Sequence, residues 1–310
     1  MATTAFAGSF EGPLVVKNGH PLYVPLGSPS LSSAEPENVL DLSFSYASTY
    51  LVDGYRDWHF GIDQETALLD IQLKRLVGDG VEAGFDLPLI RYGSGFMDDF
   101  LDEYHRLLGT SGTYGRNNRP KNVFLFGNGS PFLVNGFLDF EHEIANARPI
   151  GFLANDRFPV PRYVSVQAFL NIPTGDPRYG FGSGKMNGGI ALLVNERLRN
   201  DIMLYINAGF GLLNALKAEQ EVELKNYYYG GAGLEWVFSQ RVLLNMQMII
   251  ETSPFPKTGV RSIDDPSVMA SFGGRYRIDG STSVGIALTE DPDTSGAPDF
   301  MAGVDYRYRF

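Results

Sequence analysis

Apolar and polar side chains alternate with a period of two along most of the chain. The clearest stretch is the C-terminal FMAGVDYRYRF. Phe300, Ala302, Val304, Tyr306, Tyr308 and Phe310 share one face, and Met301, Gly303, Asp305, Arg307 and Arg309 share the other. Successive side chains of an extended backbone point to opposite faces, so this reads as a strand, greasy on one side and charged on the other. The pattern recurs. Val242, Leu244, Met246, Met248 and Ile250 oppose Asn245, Gln247 and Glu251. Leu234, Trp236 and Phe238 oppose Glu235, and Ile202, Leu204 and Ile206 oppose Asn207. Val268, Ala270 and Phe272 oppose Arg275 and Arg277. In the first third, Leu40, Leu42 and Phe44 oppose Asp41. Leu69, Ile71 and Leu73 oppose Asp70 and Lys74, and Val81, Ala83, Phe85 and Leu87 oppose Glu82 and Asp86.

The pattern predicts twelve strands, at 39–52, 65–76, 80–92, 149–157, 163–172, 185–195, 200–212, 225–238, 241–252, 266–278, 281–289 and 298–310. The fourth alternates poorly, and Phe137–Ile144 is a rival position for it. These strands are longer than the usual ~5–6 residues of globular proteins and match the ~9–11 that a tilted strand needs to cross a bilayer. Connections alternate short and long. Short ones fall at Val77–Gly80, Phe158–Pro161, Arg197–Asn200, Ser239–Gln240 and Asp279–Gly280. Long ones fall at 53–63, 93–148, 173–184, 213–223, 253–266 and 290–297. Turns at one end and loops at the other predict an all-β, antiparallel, up-and-down transmembrane barrel. Its C-terminus and short turns are expected on the periplasmic side.

In lipid every backbone group needs a partner within the protein, so a sheet must close and the aliphatic face must turn outward. The opposite face then supplies a candidate pore lining: Asp41, Asp70, Lys74, Glu82, Asp86, Asn207, Glu235, Gln247, Glu251, Arg275, Arg277, Asp305, Arg307 and Arg309. Its charges would either set a transverse field across a pore or neutralise one another in a narrow bore. Twelve strands enclose less than the ~16–18 of an open porin.

Two segments break the alternation. Residues 1–38 contain His20-Pro21-Leu22-Tyr23-Val24-Pro25-Leu26, which cannot pair continuously in a ladder. They are either a periplasmic tail or a plug folded into the barrel of residues 39–310. Within the extracellular insert 93–148, Phe96, Phe100, Tyr104, Leu107 and Leu108 recur at helical spacing, with Asp98 and Asp99 early and Arg106 late, as a helix dipole favours. A short amphipathic helix is expected there, with Phe96, Phe100, Tyr104 and His105 as its gate or constriction at the pore mouth.

Composition narrows the reading. The chain has 310 residues, 36 glycines and a net charge of −11. Such a balance lacks the basic footprint that nucleic acid requires. No run of about 18 apolar residues is present, which excludes a membrane-spanning helix. The absence of cysteine excludes disulfides, thiolate metal sites and cysteine nucleophiles. MATTAFAGSF has no basic n-region or apolar h-region and reads as a mature start.

GFMDDFLDEYHRLLG, Asn118-Arg119-Pro120-Lys121-Asn122, Pro173-Thr174-Gly175-Asp176 before Gly182-Ser183-Gly184, and Lys17-Asn18-Gly19-His20-Pro21-Leu22 together resemble an uncharacterised family of proteobacterial outer-membrane barrels. The match spans most of the chain and brings no reaction or substrate. Through size, architecture and the Pro-Thr-Gly-Asp element the chain is also similar to outer-membrane channels linked to degradation of phenol and other aromatic hydrocarbons. That similarity implies small apolar or aromatic solutes.

Catalytic chemistry finds little support. None of His20, His59, His105 and His142 adjoins a serine in strand alternation, and no Gly-x-Ser-x-Gly elbow is present. Glu141-His142-Glu143 would send His142 opposite its neighbours, and Asp264-Asp265 and Asp291-Pro292-Asp293 read as solvated loop charge rather than metal ligands. No catalytic residue, metal or cofactor is expected. The expected function is passive passage of small solutes through the bacterial outer membrane, by a monomer in contact with outer-membrane lipids and lipopolysaccharide. Phe310 is the expected contact for the barrel-assembly machinery. A lipid or lipopolysaccharide hydrolase, and a plugged barrel with a surface-binding or scaffold role, are the alternatives.

Overall fold

A computed structural model describes residues 10–27, 29–55, 58–93, 97, 123–127, 140–146, 162–175, 177, 181–217, 221–293 and 295–310. The strands are β1 (Val39–Tyr55), β2 (Trp58–Gly78), β3 (Val81–Gly93), β4 (Val123–Gly127), β5 (Phe140–Asn146), β6 (Arg162–Ile172), β7 (Asn187–Arg199) and β8 (Ile202–Leu212). They continue with β9 (Ala215–Lys217), β10 (Glu221–Glu223), β11 (Tyr227–Val237), β12 (Val242–Glu251), β13 (Ser267–Arg277), β14 (Thr282–Glu290) and β15 (Phe300–Arg309). The ladder runs β1-β15-β14-β13-β12-β11-β8-β7-β6-β5-β3-β2, and β2 pairs back with β1. All these pairings are antiparallel, so the sheet closes on itself. Closure removes the unpaired edges that an open sheet would expose to lipid.

The side-chain period places the two faces as the sequence leads one to expect. Ile286, Tyr228, Met246 and Ile190 lie outward and exposed, whereas Asp41, Asn207, Glu235 and Arg275 lie inward and buried. In water such an exterior would be an oversized apolar patch. In a bilayer it is the solvated surface, so the fold is a transmembrane barrel. Aromatic pairs flank the belt near the short-turn end. Trp236 and Phe238 meet edge to face at 5.2 Å, and Tyr308 and Phe310 stack at 6.2 Å.

Three differences from the expected strand map are informative. The fourth member of the ring is β5, at Phe140–Asn146, close to the rival position. It pairs with β6 along its whole length and meets β3 only between Glu82 and Asp86. The expected 149–157 lies outside the described residues. The expected loop 53–63 is largely ladder, since β1 and β2 stay paired as far as Tyr55 opposite Trp58. The extension is favoured because it places Phe60 and Ile62 in an apolar cluster at the loop end with Leu22, Tyr23, Phe255, Val260 and Ile263. Val260 leads into a single helical turn, α1 (Arg261–Asp264). Finally, β4 pairs with the outer part of β2, at His59–Asp63, rather than joining the ring.

The helix expected from Gly95 to Gly109 lies outside the described residues, apart from Met97. That residue is buried against Phe300, with Tyr46 and Ala302 alongside, and its backbone N–H donates to Glu65 Oε1 at 2.6 Å.

The outward face carries a direct test. Ile286 is 64 % exposed at mid-strand, opposite Val304. Ile286→Arg is expected to destabilise the barrel by about 2–4 kcal/mol in lipid. Urea unfolding in phospholipid vesicles measures this, and an unchanged midpoint would contradict a lipid-facing position.

Candidate functional site

The interior is occupied by the chain's own N-terminal segment. Residues 10–27 start at the short-turn end, rise to the loop end and turn through a 3-10 helix at Val24–Leu26, and residues 29–38 descend to β1. Gly27 follows that turn with φ of 74°, the left-handed region that glycine occupies without a Cβ penalty. Pro13, Pro21, Pro25, Pro29 and Pro36 deny the segment a continuous ladder. Its backbone groups therefore take partners from the barrel wall.

The ascending limb is held mainly by charge. The backbone N–H groups of Glu11 and Gly12 donate to the two oxygens of Glu235, at 2.8 and 3.1 Å. The Tyr205 hydroxyl donates to the same carboxylate at 2.5 Å. Arg275 returns a bond to the Gly12 carbonyl at 2.9 Å and pairs with Asp305 at 3.0 Å. The Glu11 carboxylate pairs with Arg277 and Arg309, each at 2.8 Å. Further up, Gln247 accepts from the Leu14 N–H at 3.0 Å and donates to its carbonyl at 3.2 Å. Lys17 then enters a buried cluster. It pairs with Asp70 at 3.3 Å and with Asp86, which also accepts from Gln72 at 2.9 Å.

At the top of the segment, Asn18 donates to Ser267 Oγ at 3.1 Å and to the Gly296 carbonyl at 2.7 Å. His20 is fully buried beside it. Its own N–H donates to Asn18 Oδ1, its Nδ1 accepts from the Leu22 N–H at 3.2 Å, and its ring meets Tyr23 edge to face. Burial holds the imidazole neutral, with its pKa lowered to about 3.

The descending limb is held differently. The Ser32 N–H donates to Asn207 Oδ1 at 2.7 Å, and Asn207 donates back to the Ser32 carbonyl at 3.1 Å. The Ala34 N–H donates to Asn195 Oδ1 at 2.9 Å, and the Ser165 hydroxyl donates to the Ala34 carbonyl at 2.8 Å. At its foot the Glu37 N–H donates to Glu82 at 2.8 Å, and the Glu37 carboxylate pairs with Arg307 and Arg309. Arg307 also reaches Asp41 at 3.4 Å.

Every residue of the candidate pore lining thus faces inward, but the set does not stand around an empty bore. Lys74 and Arg277 are half-buried, Glu251 is buried at the loop end, and the arginines are neutralised by Asp41, Asp305, Glu11 and Glu37. This is the self-neutralising arrangement rather than the transverse field. Phe96, Phe100, Tyr104 and His105, the expected gate, lie outside the described residues. Sequence reasoning passed over Glu11, Lys17 and Glu37 because they sit in a segment without periodicity. The signal was available in the wall, since inward Asp70 and Asp86 are diagonal neighbours across β2 and β3, with Asp86 opposite Gln72, and need a cation.

An open space remains at the short-turn end. A cavity of about 420 Å³ lies between the segment and the wall, bounded by Phe10 and Glu35 on one side and Tyr163, Arg197, Met203 and Tyr205 on the other. The Arg197 guanidinium lies 5.2 Å from the Phe10 ring centre. The acidic loop clusters are occupied by the protein's own groups. Asp264 accepts from the Thr258 and Gly259 N–H groups, and Asp265 and Asp293 both pair with Arg261.

A twelve-membered ring with a tethered N-terminal segment inside can be compared with known proteins. Residues 2–310 match the family described as "Protein of unknown function (DUF3187)". The chain belongs to that family. No curated protein matches it in sequence. Among solved structures it is similar to the COG4313 outer membrane channel from Pseudomonas putida F1, with a TM-score of 0.58 and 11% identity, covering 92% of this chain and 100% of that one. It is also similar to the NanC porin, with a TM-score of 0.51 and 7% identity, covering 87% and 98%. At these identities the likeness is one of fold. The DUF3187 chain shares with both the architecture of an outer-membrane barrel.

Two measurements probe how the DUF3187 segment is held. Lys17→Met leaves Asp70 and Asp86 buried without their cation, a loss expected to cost about 3–5 kcal/mol. Limited proteolysis should cut residues 10–38 of this variant well before the wild type. For His20, the folded pKa lies below the unfolded ~6.5. Its contribution is therefore intact above about pH 6.5 and is lost as pH falls toward 3. At pH 5 the loss is about 2 kcal/mol. Asn accepts from the Leu22 N–H without titrating, so the stability of His20→Asn should fall less than that of the wild type between pH 7 and 5.

Proposed function

We propose that this DUF3187 protein is a passive outer-membrane channel for small solutes, with its short turns and C-terminus in the periplasm. The observation that carries the reading is the 420 Å³ cavity between the N-terminal segment and the wall. The space opens at the short-turn end and is lined about equally by polar and apolar groups, so a solute can enter it from that side. The cavity is of a size that ordinary ligand pockets have. Its lining of Tyr163, Tyr205, Met203 and Phe10 beside Arg197 suits a flat, partly apolar solute bearing a polar group. The fold is shared with an outer-membrane channel and a porin, which supports passage rather than chemistry. His20, the one histidine whose side chain is described, is buried and engaged within its own turn, a poor position for a general base.

Passage through so filled a barrel is slow and selective rather than porin-like. Reconstituted in phosphatidylcholine liposomes, the full chain should admit p-hydroxybenzoate and arabinose faster than protein-free vesicles do. Failure to admit either solute from either face would overturn the channel reading and favour the plugged barrel with a surface role.

A further inference from the structure

The inner wall is divided into two kinds of surface. Charged inward residues cluster on β1–β3 and β11–β15, where Asp41, Asp70, Glu235, Arg275 and Arg307 hold the ascending limb and the foot of the descending one. The inner faces of β6, β7 and β8 carry asparagine, glycine and aromatic residues, and Arg197 at the rim is their one described inward charge. On that side glycines recess the wall. The Tyr229 ring lies over Gly209 and the Tyr227 ring over Gly211, at positions where a Cβ would collide with them. Leu31 of the descending limb sits over Gly231 and Gly233 in the same way.

Residues 29–34 run along the edge of this recess: Ser32 and Ala34 bond Asn207 and Asn195, while Leu31 fills the space over Gly231 and Gly233 and packs on Ile249 and Met269. The polar contacts they make to the wall are neutral, through Asn195, Asn207 and Ser165, and Ser33 Oγ also accepts from the Glu35 N–H at 3.1 Å. Neutral hydrogen bonds contribute about 1 kcal/mol each, and charge-assisted ones roughly twice that. The recess runs from the cavity at Tyr205 to Gly211 opposite Tyr227. That is six residues of strand, or about 20 Å. Beyond it, Tyr227 and Leu213 border a crevice of about 10 Å³ near the loop end, room for about one water, together with Leu26 and Gly27. Gly27 and Pro36 bracket the limb, and ion pairs hold the chain beyond both brackets.

We propose that residues 29–34 are the gate of this channel. The limb leaves the edge of the glycine recess while the ascending limb stays anchored, and this joins the cavity and the crevice into a path along β6, β7, β8 and β11. The 420 Å³ cavity is then the inner binding station of that path. Its solutes are small, with a flat ring that slides over Tyr205, Tyr227 and Tyr229 and a substituent that exchanges hydrogen bonds with Asn195 and Asn207. This inference rests on the channel reading above, and it fixes which part of the segment moves.

The chain has no cysteine, so engineered pairs report cleanly. Ser32→Cys with Asn207→Cys ties the descending limb to the wall, and Asn18→Cys with Ser267→Cys ties the ascending one. Flux of p-hydroxybenzoate and arabinose is read in liposomes carrying the full chain, with each crosslink verified by a reductant-sensitive gel shift. The descending lock should lower flux at least tenfold, with recovery in dithiothreitol. The ascending lock should leave flux within twofold. In the cysteine-free chain, Leu31→Ala with Ser165→Ala, which loosens the limb and leaves Asn195 and Asn207 to the solute, should raise flux several-fold. Flux that survives the descending lock overturns the gate, as does equal loss under both locks or no change in the alanine pair. No flux in the wild type would instead sink the channel reading itself.

Discussion

A buried polar group must be paired. That constraint governs both the wall and the segment inside it. Closing twelve strands with the aliphatic face outward leaves carboxylates, guanidiniums and amides facing a bore too narrow to hydrate like a porin's. A proline-punctuated segment that cannot form its own ladder has the reverse problem, since its backbone N–H and C=O groups need partners. Each supplies what the other lacks. Glu235 takes the N–H groups of Glu11 and Gly12, Asn207 takes both backbone groups of Ser32, and Lys17 neutralises the Asp70–Asp86 pair. Wall and segment are one hydrogen-bonded structure, although only the wall is a barrel.

The same constraint explains which parts of the fold were legible in the chain. Every strand that pairs on both sides over its full length shows the two-residue period, and its bounds fall within a few residues of those expected. β13 runs from Ser267 to Arg277 where alternation indicated 266–278. The period is imposed by two unlike environments on opposite faces, so it fades where the environments become alike. The outer parts of β1 and β2 rise beyond the belt, and Phe60 and Ile62 there turn apolar groups inward to meet Leu22 and Tyr23. That inversion hid the extended hairpin and made residues 53–63 read as loop. β5 pairs with β3 over only a short stretch, and its alternation is correspondingly weak.

The site was legible on one side only. Inward residues could be named from the wall, because alternation assigns each to a face. Their partners could not, because Glu11, Lys17 and Glu37 come from a stretch with no periodicity, and contacts such as Glu11 with Arg277 span most of the chain. Charge complementarity was the one usable signal. Inward Asp70 and Asp86 demand a cation, and Lys74, opposite Gly84, is as near to Asp86 in register as Asp70 is, so the wall itself offered a candidate. Nothing in the pattern of alternation says that Lys17 fills the role instead.

The division of the inner wall separates two demands that conflict. Anchoring a segment inside a membrane barrel calls for buried ion pairs, whose partners are costly to separate once desolvated. Letting a solute pass calls for contacts that can be exchanged one for another at little net cost. A wall uniformly charged would hold the segment fast and block the bore. A wall uniformly neutral would retain it too weakly to define a path. Asp70, Arg275 and Arg307 lie on one arc and Asn195, Asn207 and the glycines of β8 on the other, with β11 as the border that carries Glu235 and Gly231, and on the proposed channel reading this arrangement would meet both demands in one chain. Amides suit the exchangeable arc because each offers both a donor and an acceptor. On the proposed gating a solute hydroxyl would take the place of the Ser32 backbone at Asn207, and the freed Ser32 N–H and C=O would pass to water in the opened path.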